Sequence, residues 1–258
     1  MKSKDEIVGN WLPRYTGVPP GELGQFVLLT NFGGYLDRFC EMTGAAIVDE
    51  TRPMPTATAD GISMINFGMG SPNAATVMDL LTAAKPTAVL LLGKCGGVKR
   101  KNKLGDLILP IAAIRGEGTS DDYLPPEVPA LPAFQLQRVV STMIRDLEHD
   151  YWTGTVYTTN RRVWEHDDEF KAYLRKTRAM AVDMESATIF AAGFANEIPS
   201  GALLLVSDQP MIPEGVKTED SDRGVTAHFA DDHIRIGIEA LKLLRRQGRS
   251  VKHLRFDE

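Results

Sequence analysis

Two acidic stations in this sequence have the residue types needed to cleave a bond to a weakly basic leaving group. Asp208 follows the apolar run ALLLVS (202–207), whose composition suits a strand buried on both faces. Desolvation at the end of such a strand disfavours the charged carboxylate and raises its pKa, so a proton can be held near neutrality and given to a leaving group. The same position also suits a helix N-cap or a turn aspartate. Asp183-Met184-Glu185-Ser186 is the second station, and it opens a stretch rich in small residues, Ala187, Ala191, Ala192 and Gly193. There, one or both acids could serve only as helix caps. Position alone leaves both readings open at each station.

The elements that must position these acids are read from hydrophobic period. Short apolar runs predict strands at 26–30, 62–68, 88–93, 106–114, 153–159 and 202–207, with Pro110 marking a bulge or an edge in the fourth. Helical spacing is carried by Val77, Leu80, Leu81 and Ala84, after Ser71 as N-cap with Pro72 at the first helical position and before Pro86. Segments 133–147, 184–196 and 226–247 also have helical character. Buried strands alternating with amphipathic helices predict a single α/β domain over 26–258, with a central twisted mixed β-sheet flanked by helices. Residues 1–25 carry clustered prolines and glycines and are expected to form an irregular N-terminal arm. The proline-rich stretch 115–132 is expected to be a long, functional or mobile surface loop.

Ligands of open α/β sheets sit beyond the carboxyl ends of the strands. Those ends carry Asn31-Phe32-Gly33-Gly34, Gly68-Met69-Gly70-Ser71-Pro72, Gly93-Lys94-Cys95-Gly96-Gly97 and Ser207-Asp208. Glycine lets a ligand approach backbone N–H groups, and the Gly68 segment enters a helix N-terminus, where a phosphate or sugar oxygen could be held. Neither a dinucleotide-binding nor a nucleotide-hydrolysing glycine motif is present.

The chain has 258 residues, a net charge of −5 and two cysteines, Cys40 and Cys95, without metal-ligand spacing. This balance leaves no basic footprint for nucleic acid or an anionic membrane, and the short run Lys99, Arg100, Lys101, Lys103 reads as a solvated loop. No apolar run approaches transmembrane length, and the N-terminus lacks the pattern of a signal peptide, so a cytoplasmic protein with reduced thiols is expected. His166 reads as a surface histidine, and His228 and His233 as structural residues of the last helix.

The blocks FGMGSPNAATVMDLL (67–81), LLGKCGGVKRKNKLGDLILP (91–110), TGTVYTTNRRVWE (153–165), RAMAVDMESATIFAAGF (178–194) and LLLVSDQP (203–210) give a sharper reading. With them the chain resembles the nucleoside phosphorylase and nucleosidase family, and within it the bacterial AMP nucleosidase branch. The resemblance implies that Asp208 acts on purine N7 as the base departs, that Glu185 holds the ribose hydroxyls and that Met184 packs on the sugar. It sets Gly33 and the Lys94-Cys95-Gly96 turn beside the sugar and the nucleophile. It also implies a homo-oligomer, with a hexamer favoured, a small purine nucleotide or nucleoside as partner, and no metal or organic cofactor.

Phosphorolytic members carry a phosphate-gripping arginine and serine where this chain has Leu91 and Lys94, which favours water as nucleophile. No acid near Gly33 offers itself to activate that water. Arg161 and Arg162 stand where members acting on unphosphorylated substrates carry apolar residues. They are expected either to bind a 5′-phosphate or to form a solvated pair. The resemblance starts about 25 residues into the chain, which puts regulation through the N-terminal regulatory domain of some members in doubt. Hydrolysis of AMP is the expected reaction. Phosphorolysis of purine nucleosides and a non-catalytic nucleotide-binding module are the alternatives.

Overall fold

The computed structural model describes residues 2–248, so residues 249–258 of the expected domain lie outside the described residues. In chain order the first half contains α1 (Lys4–Thr16), β1 (Phe26–Thr30), α2 (Gly33–Thr43), β2 (Thr56–Ala59), β3 (Ile62–Asn66), α3 (Ser71–Leu81) and β4 (Ala88–Gly97). The second half contains β5 (Leu107–Gly116), α4 (Phe134–Asp146), β6 (Tyr151–Thr159), α5 (Asp168–Thr177), β7 (Ala181–Asp183), α6 (Ser186–Ala195), β8 (Ser200–Asp208) and α7 (Glu219–Gln247).

The strands form one mixed sheet in the order β2-β3-β1-β4-β7-β6-β5-β8, with β4 also paired to β8. That extra pairing closes β4, β8, β5, β6 and β7 into a ring, while β1, β3 and β2 continue outward as an open sheet. β4 is the hub. Residues 88–91 pair with β1, residues 96–97 pair with β7, and its other edge pairs with β8 from Val89 to Gly96. Side chains alternate between two cores. Val27, Leu29, Val89 and Leu91 pack with Val77, Ile189 and Phe190 on one face. Phe26, Leu28, Leu90 and Leu92 pack with Phe39, Leu136, Val140 and Leu241 on the other. Helices therefore cover both faces of the sheet, as the alternation of elements predicts.

Several local expectations are corrected. The first residues do not form an irregular arm. Ser3 and Glu6 make a reciprocal capping box, α1 runs for 13 residues, and Gly17 ends it in the left-handed region at φ 77°. Pro13 is tolerated in its last turn, and Val8 and Leu12 bury against the core. β4 runs to Gly97, four residues past the expected end, so Lys94, Cys95 and Gly96 belong to a strand rather than to a turn. The Gly33-Gly34 pair is the first turn of α2, anchored by buried Tyr35, Leu36 and Phe39.

α3 is capped by Gly70 rather than Ser71, and α7 starts at Glu219, ahead of the expected 226. Pro110 does sit at a bulge, where the β5–β6 register shifts between Pro110 and Ala112. The 115–132 segment is pinned. The buried Arg115 guanidinium donates to Ser120 Oγ at 2.8 Å and to the carbonyls of Leu124 and Val128 at 2.6 and 2.8 Å, and it pairs with Asp121.

Candidate active site

One cleft of about 190 Å³, open to solvent, collects the carboxyl ends of β1, β4, β6, β7 and β8. Asp208, Glu185, Met184, Lys94, Cys95, Gly96, Arg161 and Arg162 all line it, and so do Asn31, Phe32, Trp164, Lys217 and Asp222. Gly33 does not; Asn31 and Phe32, just before it, form that wall.

The capping alternatives separate cleanly. Asp183 caps α6: its Oδ2 accepts from the Ser186 N–H at 2.7 Å, and its Oδ1 accepts from Thr158 Oγ1 at 2.7 Å. Glu185 occupies the N-cap position of α6, but its side chain makes no capping hydrogen bond to that helix and lines the cleft instead. Its Oε1 accepts from the Gly70 N–H at 2.7 Å and from Asn31 Nδ2 at 3.1 Å. The N-terminus of α3, expected to hold a phosphate or sugar oxygen, therefore faces the protein's own carboxylate. Burial, reinforced by the nearby Asp183 charge, pushes Glu185 up to about 7. Beside it, Asn31 Oδ1 is buried with no partner among the described residues.

Asp208 is aimed by a bulge. Cys95 pairs with Val206 but Gly96 pairs with Asp208, so Ser207 is the extra residue on β8. A bulge re-aims the side chain that follows it. The Ser207 hydroxyl donates to Asp208 Oδ1 at 2.8 Å, and Lys217 Nζ stands 3.5 Å from the same oxygen. Burial raises the Asp208 pKa, and the Lys217 charge only partly offsets this. No helix starts at Asp208, so it is not a cap. Gly96 cannot carry a side chain here, because a Cβ would come within 2.7 Å of Pro210 Cγ. Cys95 is fully buried, and burial pushes its thiol up so that it stays protonated.

Lys94 is held with its side chain only 2% exposed. Its ammonium donates to Asp222 Oδ1 at 2.9 Å and to Thr226 Oγ1 at 2.7 Å, and lies 4.4 Å from the centre of the Phe32 ring. Leu91 is core, not cleft. Arg161 and Arg162 are about half exposed and paired with Asp167 at 2.8 Å and Glu165 at 3.5 Å. The Arg162 charge also acts on Asp208, so this pair borders the side of the cleft where Asp208 sits.

His233 is buried. It contacts Tyr35 Oη at 3.0 Å and the Leu203 carbonyl at 2.9 Å, and burial lowers its pKa to about 4, so it is a neutral structural residue. His166 and His228 are exposed. No cluster of three or more metal-ligating side chains occurs among the described residues.

Sequence reasoning placed Asn31 at a ligand-binding strand end without giving it a role, and it missed Lys217 and Asp222 as cleft residues. Asn31 directly follows β1, where its place at a strand end was a usable signal. Asp222 reads as one of several acids in the first turn of α7, and Lys217 lies in an irregular segment, so neither carries a local signal.

A family model described as the phosphorylase superfamily matches residues 25–242. The chain belongs to the phosphorylase superfamily. Within that superfamily it is 31% identical to a protein named AMP nucleosidase from Escherichia coli K12, over 92% of this chain. The chain spans 58% of that relative's length. The crystal structure of an AMP nucleosidase from Bacteroides thetaiotaomicron is 54% identical, with a TM-score of 0.86 over 95% of this chain and 99% of that one. A purine nucleoside phosphorylase structure from Toxoplasma gondii, 18% identical with a TM-score of 0.77 over 89% of this chain and 95% of that one, shares the fold.

Proposed function

We propose that this protein hydrolyses the N-glycosidic bond of AMP, giving adenine and ribose 5-phosphate. The observation that carries this reading is the pairing, in one cleft, of two carboxyls raised by burial and freed from capping, Asp208 and Glu185. The likeness to two AMP nucleosidases supports it. Asp208, holding its proton, hydrogen-bonds or protonates purine N7 and turns the base into a better leaving group. Glu185 accepts from the ribose hydroxyls and stabilises positive charge developing on the sugar. The unpartnered Asn31 Oδ1 offers a second acceptor there, and Met184 packs on the ring. Lys94, Cys95 and Gly96 form the floor under the sugar.

The test is release of free base from AMP, adenosine, inosine and methylthioadenosine, with and without inorganic phosphate. Adenine released from AMP equally well without phosphate is the expected result. A strict phosphate requirement would establish phosphorolysis instead, and no release from any substrate would leave a binding module.

Arg161 and Arg162 are proposed to hold the 5′-phosphate. Replacing both with Ala is then expected to raise KM for AMP about 10-fold or more while leaving adenosine unchanged, since a charge-assisted phosphate contact contributes roughly 1.5–3 kcal/mol. A KM that rises equally for both substrates would put the arginines on the base instead.

The chain is further proposed to be cytoplasmic and to assemble as a homo-oligomer, with a hexamer favoured. Unpaired Cys40 and Cys95 fit a reducing compartment, and exposed Leu131 and Phe134 offer apolar surface for association. Sedimentation gives the mass directly. Among the described residues no helix is long and apolar enough to cross a membrane.

A further inference from the structure

Hydrolysis needs an acceptor for the proton of the attacking water, and the acids that line the cleft can be compared oxygen by oxygen. Asp183 has both oxygens committed, to Thr158 and to the start of α6. Glu165 is occupied by the Trp164 N–H at 2.9 Å and by Arg162. Glu185 carries two donors on Oε1 and is given to the ribose, while Asp208 must keep its proton for the base. Asp222 remains. Its Oδ1 faces Lys94 Nζ at 2.9 Å and Lys217 Nζ at 3.6 Å, and its Oδ2 has no protein donor among the described residues. The side chain is about one-third exposed and lines the cleft.

From this geometry we infer that Asp222 positions the attacking water and takes its proton, so that it is a second catalytic carboxylate of this cleft. This rests on the hydrolytic reading above. Lys94, Asp222, Lys217 and Asp208 follow one another with contacts of 2.9, 3.6 and 3.5 Å. Lys217 thus touches both the proposed base and the proposed acid; what sets the two apart is that Asp208 is the more deeply buried and that Asp222 alone also pairs with Lys94. Burial pushes Asp222 up, but the Lys94 hydrogen bond and the two ammonium charges outweigh it and leave the pKa below its ordinary value. A carboxylate held ionised in this way is ready at every turnover. Although it is a weak base, water adding to a cationic sugar becomes acidic as its bond forms, so a weak base suffices.

In the reaction the water oxygen forms the bond to C1′. The C1′–N9 bond breaks with its electron pair going to the purine, which takes the Asp208 proton at N7. Asp222 takes the proton of the water. Exchange with solvent through the open cleft then returns Asp222 to its ionised form and Asp208 to its protonated form, so the net change is the consumption of one water. The same carboxylate disfavours an anionic nucleophile. Lys94 stands where the resemblance sets the phosphate-binding serine, and its charge is already matched by Asp222.

The experiment compares wild type, Asp222→Asn and Asp222→Ala for adenine release from AMP, with circular dichroism and melting to check folding. Asp222→Asn is expected to lower kcat about 10²-fold or more, as loss of a general base does, with KM changed only a few-fold. Added formate is expected to restore turnover to Asp222→Ala, because a small carboxylate can occupy the vacated space. A kcat within about threefold of wild type in Asp222→Asn overturns the inference, and so does a loss in folded Asp222→Ala that formate does not rescue, since a purely structural role would give that pattern. Failure of the wild type itself to release adenine would overturn the hydrolytic reading first, and this inference with it.

Discussion

Asp208→Asn is expected to lower kcat for adenine release from AMP by about 10²–10⁴-fold, the usual range for loss of a general acid. Asparagine matches aspartate in size and can still accept from Ser207, so the bulge at Ser207 and the strand around it should survive. It cannot deliver a proton to N7. Because the interaction is made chiefly as the bond breaks, the loss should fall on kcat and on kcat/KM alike, with KM little changed. Steady-state kinetics on a variant whose melting curve matches wild type would check this. Full activity in that variant would end the mechanism proposed for Asp208. The raised pKa gives a second readout with a definite sign. Asp208 works only while protonated, so wild-type activity is expected to fall as pH rises through its folded pKa.

Glu185→Gln is expected to separate activity from stability. Glutamine cannot offer a charged acceptor to the ribose hydroxyls, and loss of an electrostatic contact of this kind commonly costs about 10²–10³-fold in kcat. The folded protein should nevertheless gain stability. Glu185 has a folded pKa near 7, above its unfolded value, so the native state binds the extra proton and wild-type stability falls as pH rises from the unfolded pKa to about 7. Glutamine removes that cost. At pH 8 the variant should be more stable by about 3 kcal/mol, given 1.36 kcal/mol per pKa unit, and the gain should vanish below about pH 4, where both forms are neutral. Denaturant unfolding at the two pH values would measure it. Equal stabilities at pH 8 would mean that the carboxylate is not penalised by its site.

The parts of this fold legible in the sequence were those written in local pattern. Strands rich in Val and Leu, such as β1, β4 and β8, announced themselves because both faces are buried, and α3 did so through its spacing and Pro86. α1 was legible in principle, since Ser3 and Glu6 form a capping box, but Pro13 and the glycines after it suggested an irregular arm. α2 was hidden by opening on two glycines, and β7 is only three residues long. Within the site, Asp208 and Glu185 stood out through the resemblance, while their release from capping duty depended on Asp183 and on a one-residue bulge that no spacing reveals. Lys217 and Asp222 were invisible for a related reason. Their significance is a pair of distances to residues more than a hundred positions away or across a strand end.

The hub position of β4 carries a consequence for how the cleft can change. One of its edges pairs with β8 from Val89 to Gly96, while the other pairs with β1 over 88–91 and with β7 over 96–97, so Lys94 and Cys95 have no strand beside them on that edge. Amide exchange is therefore expected to be slowest where both edges of β4 are paired and faster across the gap between β1 and β7. Lys94 and Cys95, in the proposed floor of the cleft, are thus held by a neighbouring strand from one side. The segments around Arg161 and Lys217 border the same cleft, and new substrate preferences can arise there while the strand stays the same.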